Sequence, residues 1–244
     1  MHSFNNHTRI GVIYPADGFL DSEFWACTPG GVSVHFTRSL SSRSMDQRKS
    51  ATERYITMAE SIDIEASAGT FALINPRCVV YACTAASFIR GVGFDMDIAK
   101  RVTAESGSPA TTTSTSSVAA LKALEIENLA VATPYQGDVA NILSDFLTGN
   151  GFNVVNLSHA GSKILDFKTM TQKQTFELAK QADSPQAQGL FIPCTALPTV
   201  GIIDALEQSL GKPVVSANQA SMWHALKIAQ AYTKLDNVGS LYKL

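Results

Sequence analysis

Two stretches of the sequence match each other, Val80-Tyr-Ala-Cys83-Thr84 and Phe191-Ile-Pro-Cys194-Thr195, and they begin 111 residues apart. In each, a short apolar run typical of a buried β-strand ends at Cys-Thr-Ala. A second pair, Ile10-Gly-Val-Ile-Tyr-Pro15 and Leu129-Ala-Val-Ala-Thr-Pro134, repeats at an offset of 119 residues. Two matched pairs at similar offsets predict a duplicated α/β unit.

Short β-branched runs bounded by turn residues predict eight strands, at residues 9–14, 32–37, 79–82, 110–113, 129–132, 153–156, 190–192 and 214–216. Helical stretches lie between most of them, at residues 45–68, 95–105, 118–124, 138–148, 172–182, 200–210 and 219–232. Such alternation is typical of parallel sheets covered by helices.

We therefore predict an α/β fold of two pseudo-symmetric domains, each a four-stranded parallel sheet flanked by helices, with the active site in the cleft between them. The first domain spans residues 1–115 and is completed by a C-terminal helix at 218–244. The second spans residues 116–217.

The composition favours a globular protein that binds neither nucleic acid nor membranes. Hydrophobic residues make up 45% of the 244 residues and charged residues only 16%, which favours a packed globule over a disordered chain. The net charge is −2 and the basic residues are scattered, which argues against nucleic acid and acidic membranes as partners. The polar N-terminus and the lack of an apolar run of about 18 residues predict a cytoplasmic protein without a membrane span.

The four cysteines are too few and too unevenly spaced for a disulfide framework, and no CxxC pair suggests a zinc site. We expect free thiols, with Cys27 in a loop and Cys78 in the core. Gly91-Val-Gly93 lacks the third glycine of a dinucleotide-binding loop, and there is no Walker loop. We therefore expect activity without a metal or an organic cofactor.

The two repeated cysteines are the strongest candidates for chemistry. Cys83 and Cys194 each follow an apolar strand, and ligands of open α/β sheets bind beyond the carboxyl ends of the strands. If the halves face each other, both thiols point into one cleft. Helix N-termini there favour a lowered thiol pKa, and their N–H groups, with the hydroxyls of Thr84 and Thr195, form a nest for a carboxylate. The alternative is that both cysteines are inert core residues.

Other residues on the same rim are weaker candidates. Tyr135 follows Pro134 at the end of the fifth strand and is either a site residue or a half-buried structural tyrosine. Asp17 lies in a turn and is the candidate polar wall of the cleft. The seven consecutive hydroxyl residues 111–117 predict a domain-crossing loop with a helix cap, from which Thr113 and Ser114 are alternative donors to a carboxylate.

At these residues the chain resembles the aspartate/glutamate racemase superfamily. The resemblance is to the branch that holds maleate cis–trans isomerases, arylmalonate decarboxylases and isomerase-like proteins of ectoine utilisation. The motifs that carry it are Val80-Tyr-Ala-Cys83-Thr84, Ser87-Phe-Ile-Arg-Gly91, Ala132-Thr-Pro-Tyr135, Phe191-Ile-Pro-Cys194-Thr195-Ala-Leu and Gly211-Lys-Pro-Val-Val-Ser-Ala-Asn-Gln-Ala220 with Trp223. The resemblance implies two pseudo-symmetric α/β domains and catalysis without metal or organic cofactor.

The resemblance also implies roles for individual residues. Cys83 and Cys194 match the cysteine pair that flanks the substrate, and substrate-carboxylate binding falls to Thr84, Ala85, Tyr135 and Thr195. The decarboxylases of this branch typically have glycine in place of the first cysteine, so Cys83 favours an isomerase or racemase. The chain departs from the family where maleate isomerases usually carry Asn after the first-strand proline, since Asp17 stands there, and where Ala85 replaces a hydroxyl residue. These departures argue against maleate itself.

Four functions remain open from the sequence. A racemase removes the α-proton with one thiolate and returns a proton from the other thiol, whereas a cis–trans isomerase adds a thiolate to an alkene and eliminates it after rotation. An arylmalonate-type decarboxylase needs an apolar pocket and only Cys194 as proton donor. A non-catalytic carboxylate-binding protein leaves the matched thiols unexplained. The expected partner is a small carboxylate, and the chain is a monomer or a homo-oligomer.

Overall fold

The computed structural model describes residues 7–41, 48–160 and 169–244. The described chain forms two four-stranded sheets in which every strand pair is parallel. The strands are β1 (Thr8–Pro15), β2 (Val32–Ser39), β3 (Cys78–Tyr81), β4 (Ala110–Thr112), β5 (Asn128–Thr133), β6 (Asn153–His159), β7 (Gly189–Ile192) and β8 (Val214–Ser216). All eight predicted strands are present, and the predicted fold class is confirmed.

The two sheets have the same strand order, β2-β1-β3-β4 and β6-β5-β7-β8. In each sheet the chain leaves the central strand to one side and returns on its other side. Such a reversal opens a crevice at the carboxyl ends of the strands, where ligands bind in open α/β folds. The strand ends at these crevices are Pro15 and Tyr81 in the first sheet and Thr133 and Ile192 in the second.

Helices flank both sheets. Within the described ranges they are α1 (Asp21–Ala26), α2 (Ala51–Ala59), α3 (Asp63–Gly69), α4 (Thr84–Phe88), α5 (Phe94–Ser106), α6 (Thr113–Ala123), α7 (Gly137–Gly149), α8 (Gln172–Ala182), α9 (Ile203–Leu210) and α10 (Ala217–Ile228). Short 3-10 helices add Val200–Ile202 and Ser240–Lys243. The sequence pattern missed α1 and α4 because helices of five or six residues are too short to show a 3.6-residue period.

The single helix predicted over 45–68 is wrong. Positions 45–47 lie outside the described residues, and the remainder forms α2 and α3. A capping box starts α2, because the Ser50 side chain accepts from the Glu53 N–H while Glu53 accepts from the Ser50 N–H. Ser61 then accepts a hydrogen bond from the Asp63 N–H at 3.1 Å, where α3 begins. The break between the two helices therefore falls at residues 60–62, and α3 begins without a side-chain cap on its N-cap residue Ile62.

The hydroxyl-rich segment 111–117 is helical for most of its length, so the predicted loop is wrong there, although the predicted cap exists. Thr112 accepts from the Thr115 N–H at 3.1 Å and caps α6. Within the helix, the Ser117 hydroxyl donates to the Thr113 carbonyl at 2.7 Å. Such bonds satisfy hydroxyls that would otherwise compete with the helix.

The C-terminal helix α10 follows β8 directly and packs against α6, β3 and β4 of the first half as well as against β8. Its first turns are fully buried and include polar residues such as Asn218 and Gln219. The predicted C-terminal helix over 218–244 is wrong in extent, because α10 ends at Ile228 and only a short 3-10 helix follows at Ser240–Lys243. The domain limits 1–115, 116–217 and 218–244 stay predictions. No helix in the described part of the chain is both long and apolar enough to cross a bilayer.

Candidate active site

Both repeated cysteines open onto one pocket of about 50 Å³ at the carboxyl ends of β3 and β7. Residues from both halves line it: Tyr14, Pro15, Asp17, Gly18, Tyr55, Met58, Cys83, Thr84, Ala85, Tyr135, Cys194, Thr195 and Ala196. The structure thus brings together all seven residues that the sequence singled out as catalytic or substrate-binding. Their roles stay predictions, because lining a pocket does not by itself assign chemistry.

Cys83 is held at the start of a regular helix. It has extended backbone angles at the N-cap of α4 and is 6% exposed. The N–H of Ala86 in the first turn of α4 favours its thiolate, but burial dominates and raises the pKa of Cys83 to about 12. This group is therefore a neutral thiol at neutral pH.

Cys194 lies in a turn. Its carbonyl accepts the Leu197 N–H at 3.3 Å, and its side chain is 4% exposed. Burial raises the pKa of Cys194 to about 11, while the N–H groups of Ala196 and Leu197 and the Tyr135 hydroxyl oppose the rise. The expectation of lowered thiol pKa values is wrong for both cysteines, because desolvation outweighs the nearby N–H groups.

Tyr135 connects the pocket with an aromatic cluster. It is buried at the end of β5, and its ring makes edge contacts with Tyr55 at 6.0 Å and Phe88 at 5.7 Å between centroids. Burial holds the pKa of Tyr135 well above its usual range, so the phenol remains a neutral donor beside Cys194. Tyr135 thus both lines the pocket and packs in the aromatic cluster, and its role in substrate binding stays a prediction.

Thr84 offers an unused hydroxyl. Its Oγ1 is buried and has no hydrogen-bond partner among the described residues. Its carbonyl, in contrast, accepts from Ser87 Oγ at 2.9 Å and Ser114 Oγ at 3.2 Å. A buried donor without a partner is costly unless a ligand satisfies it. Thr84 is thus a ready donor for a substrate oxygen.

Thr113 and Ser114 are not among the described residues that line this pocket, so their proposed direct donation to a carboxylate is not supported. The Ser114 hydroxyl instead donates a hydrogen bond to the Thr84 carbonyl. The Thr113 hydroxyl is directed to the Tyr81 carbonyl at 3.4 Å. The Ser114 hydroxyl thus faces the start of α4, whereas the Thr113 hydroxyl faces the end of β3 and accepts from Ser221 Oγ at 3.1 Å.

Thr195 joins the two halves at the pocket. Its carbonyl accepts a hydrogen bond from the Tyr14 hydroxyl at 2.7 Å. Its own hydroxyl donates to the Ala82 carbonyl at 3.4 Å. Gly18 makes room for this arrangement, since a Cβ there would lie 2.7 Å from the Tyr14 ring. Any larger residue at position 18 would require the Tyr14 ring or the turn around Gly18 to shift.

Asp17 contributes negative charge to the pocket. It lines the cavity after the end of β1, and its carboxylate raises the pKa of both Cys83 and Cys194. The described lining contains no lysine, arginine or histidine. Within the described part of the chain, no three His, Cys, Asp or Glu side chains cluster as a metal site would require.

Six residues of the lining were not among the predicted site residues: Tyr14, Pro15, Gly18, Tyr55, Met58 and Ala196. Tyr14 was detectable, because it is the second-last residue of β1 at the same sheet edge as Cys83. Tyr55 and Met58 are three residues apart on α2 and so share one helix face. Nothing local in the sequence shows that this face covers the pocket.

Known proteins resemble the chain over most of its length. Arylmalonate decarboxylase of Bordetella bronchiseptica is 30% identical over 151 residues, which cover 60% of this chain and 62% of that protein. Maleate isomerase of Geobacillus stearothermophilus is 24% identical, over 96% of this chain and 97% of that protein.

Solved structures show the same fold. Maleate isomerase Iso from Pseudomonas putida S16 superimposes with a TM-score of 0.86 at 20% identity, covering 96% of this chain and 98% of that one. A variant of the Nocardia farcinica maleate cis–trans isomerase with a covalently bound succinylcysteine intermediate gives 0.84 at 21% identity, covering 96% and 97%. The sequence profile of the arylmalonate decarboxylase family matches residues 12–242. The chain therefore belongs to the arylmalonate decarboxylase family.

Proposed function

We propose that the protein is a cofactor-independent isomerase of a small carboxylic acid, either a cis–trans isomerase or a racemase, with Cys83 and Cys194 as the reacting groups. The observation that carries the proposal is that two buried thiols, one from each half, line a single pocket. Binding alone does not require two thiols. The cysteine-bound intermediate of the Nocardia isomerase supports sulfur chemistry in a protein of this fold.

In the cis–trans reaction, the thiolate of one cysteine adds its sulfur to an alkene carbon, while the other cysteine stays a neutral thiol that donates a hydrogen bond to the charge that develops. The alkene electron pair moves to the neighbouring carbon and into the carboxylate, which leaves a single C–C bond free to rotate. Elimination of the sulfur re-forms the double bond in the trans acid and returns the thiolate. Thr84 Oγ1 and the N–H groups near Cys194 are the donors available to the charge that develops on the carboxylate.

In the racemase reaction, one thiolate removes the proton on the carbon next to the carboxylate, and the electron pair is held by the carboxylate. The other thiol gives its proton to the opposite face of that carbon. Each turnover exchanges the protonation states of Cys83 and Cys194. Both reactions need one neutral and one ionised thiol, so the raised pKa values leave the proton donor in place and make the thiolate the scarce form.

The pocket supports a compact substrate. One water molecule needs roughly 10–15 Å³ of such space, so a cavity of about 50 Å³ holds only a few such groups. The described lining offers hydroxyl and backbone donors to one carboxylate. Asp17 would repel a second carboxylate placed near it. We therefore propose a small acid with one carboxylate at the reacting end and a neutral or donor group near Asp17.

Replacing Asp17 by asparagine tests the effect of this charge. Asp17→Asn is expected to raise kcat/KM for dicarboxylates by about tenfold relative to monocarboxylates, since a like charge at close range costs about 1–4 kcal/mol. It is also expected to shift alkylation of Cys83 and Cys194 by iodoacetamide to lower pH, because the charge that raises both pKa values is removed. Steady-state kinetics and pH-dependent alkylation measure the two effects.

Asp97→Asn is the matched control, because Asp97 forms an exposed ion pair with Lys100 on α5. It should change neither the substrate preference nor the alkylation profile. An unchanged preference in Asp17→Asn would contradict the proposed role of this charge.

Decarboxylation is the second candidate function. The family match favours it, and so do the apolar side chains of Met58, Ala85 and Ala196 in the lining. In that reaction a malonate loses one carboxylate as carbon dioxide, and Cys194 protonates the resulting carbanion. Cys83 has no necessary part in it.

A substrate panel followed by proton NMR in deuterium oxide separates these functions. The panel contains cis-alkene acids, 2-substituted chiral acids and arylmalonates. Alkene isomerisation or α-deuteration without loss of carbon is expected, and each identifies one form of the proposed isomerase. Release of carbon dioxide from an arylmalonate alone would establish the decarboxylase. Saturable binding without turnover of any class would overturn the enzyme proposal.

A further inference from the structure

The two cysteine environments are built differently. Cys83 directly precedes the regular helix α4, whose own hydrogen bonds fix the N–H of Ala86. After β7, by contrast, the chain from Cys194 to Thr199 forms neither helix nor strand, and the next regular element begins at Val200. Backbone groups in such a segment lack the repeating bonds of secondary structure. Apart from local turn bonds such as that from the Leu197 N–H to the Cys194 carbonyl at 3.3 Å, this segment depends on contacts from other parts of the chain.

Glu23 supplies contacts at the far end of this segment. It lies on α1 in the first half and is buried. Its Oε1 accepts the N–H groups of Thr199 and Val200, the latter at 3.0 Å. Its Oε2 accepts the Thr199 hydroxyl at 2.9 Å and Asn218 Nδ2 at 2.8 Å. An ionised carboxylate only accepts and has about four acceptor sites, so these donors match it.

Asn218 extends the link to the residue beside the cysteine. Its Nδ2 donates both to Glu23 Oε2 and to the Thr195 carbonyl, the latter at 3.2 Å. The Tyr14 hydroxyl donates to the same carbonyl at 2.7 Å. Phe24, the neighbour of Glu23, packs edge-on against Tyr14 at 5.4 Å. The segment is therefore tied at Thr195 and again at Thr199 and Val200, with Cys194, Ala196 and Leu197 at or between these ties.

We propose that Glu23 is a positioning residue for Cys194, which holds the N–H groups of Ala196 and Leu197 toward the sulfur by fixing both ends of the segment. The proposal rests on the proposed function only in taking Cys194 as a reacting group. Cys83 is linked to this network only weakly, through the Thr195 hydroxyl that donates to the Ala82 carbonyl at 3.4 Å, because its own N–H donor belongs to α4. Disturbing Glu23 should therefore affect Cys194 much more than Cys83.

Glu23→Gln tests this asymmetry. The amide keeps the size of the side chain, but its NH₂ group faces donors and cannot accept. We expect the ratio of Cys194 to Cys83 alkylation by iodoacetamide at neutral pH to fall about tenfold, the change in thiolate fraction that one pKa unit produces. Peptide mass spectrometry of the full-length protein measures both cysteines in the same sample. With an identified substrate, kcat should fall more than KM rises.

Glu207→Gln is the matched control. Glu207 also accepts backbone N–H groups, from Val214 at 3.0 Å and Ser240 at 2.9 Å, but it contacts neither Thr195 nor Thr199 in the described chain. The alkylation ratio should stay unchanged in this variant. General loosening of the fold would raise the alkylation of both pocket cysteines, which separates it from the proposed effect.

Thr199→Val provides a second measurement if Glu23→Gln does not fold. It removes the hydroxyl bond to Glu23 with little change in shape, so a smaller fall in the same ratio is expected. An unchanged or increased ratio in the folded variant would overturn the proposal. Because alkylation needs no substrate, this result does not depend on whether the protein turns out to be an isomerase or a decarboxylase.

Discussion

Replacing Cys194 by alanine should lower turnover by at least about a hundredfold, the scale of losing one positioned acid or base. The loss is expected for all three enzymatic alternatives, because a racemase and an isomerase need both thiols and a decarboxylase needs Cys194 to protonate its carbanion. Progress curves by proton NMR measure the rate. Circular dichroism and thermal unfolding establish that the variant is folded.

Cys78→Ala is the control for the removal of a buried thiol. Cys78 is fully buried in β3, yet it is not among the described residues that line the pocket. Some loss of stability is expected from the smaller side chain, with turnover close to that of the unmodified protein. If Cys194→Ala retained turnover within a few-fold of Cys78→Ala, Cys194 would not be a reacting group.

Cys83→Ala is also expected to lower the rate of isomerisation or racemisation by at least about a hundredfold. Here the functions differ, because a decarboxylase makes no use of this thiol. The same preparation is therefore assayed for isomerisation, α-deuteration and release of carbon dioxide. A loss of the first two activities supports the two-thiol mechanism.

Cys83→Gly sharpens the comparison, since glycine is typical of this position in the decarboxylases that the chain resembles. Decarboxylation that persists in this variant, with a single product enantiomer, would favour the decarboxylase. Near-normal isomerisation by either Cys83 variant would rule out a mechanism with two thiols.

The repeated motifs and the alternation of strands and helices were enough to predict the two-sheet fold and seven of the thirteen residues that line the pocket. A short motif after a buried strand fixes where a side chain lies in a parallel sheet, because strand ends meet at one edge. The contacts of Glu23 could not be predicted in this way. It lies 176 residues from Thr199 and 195 from Asn218, and no period or spacing connects them.

The direction of the pKa shift of the two thiols also could not be predicted from the sequence. The local pattern shows the strand end and the N–H groups that follow it, both of which favour a thiolate. Burial depends on what the rest of the chain places over the sulfur, such as Tyr55 on α2 and the turn after β1 that carries Asp17. Desolvation is a property of the assembled pocket, so it becomes visible only in three dimensions.

The burial of the two thiols also affects how readily they are oxidised. Peroxides and other oxidants attack the ionised and accessible form of cysteine. Cys83 and Cys194 are hardly exposed and rest as neutral thiols, with pKa values of about 12 and about 11. Two sulfurs in one cavity would otherwise be prone to over-oxidation or to a mutual cross-link. The same desolvation that makes the thiolate scarce should therefore slow the oxidation of both sulfurs.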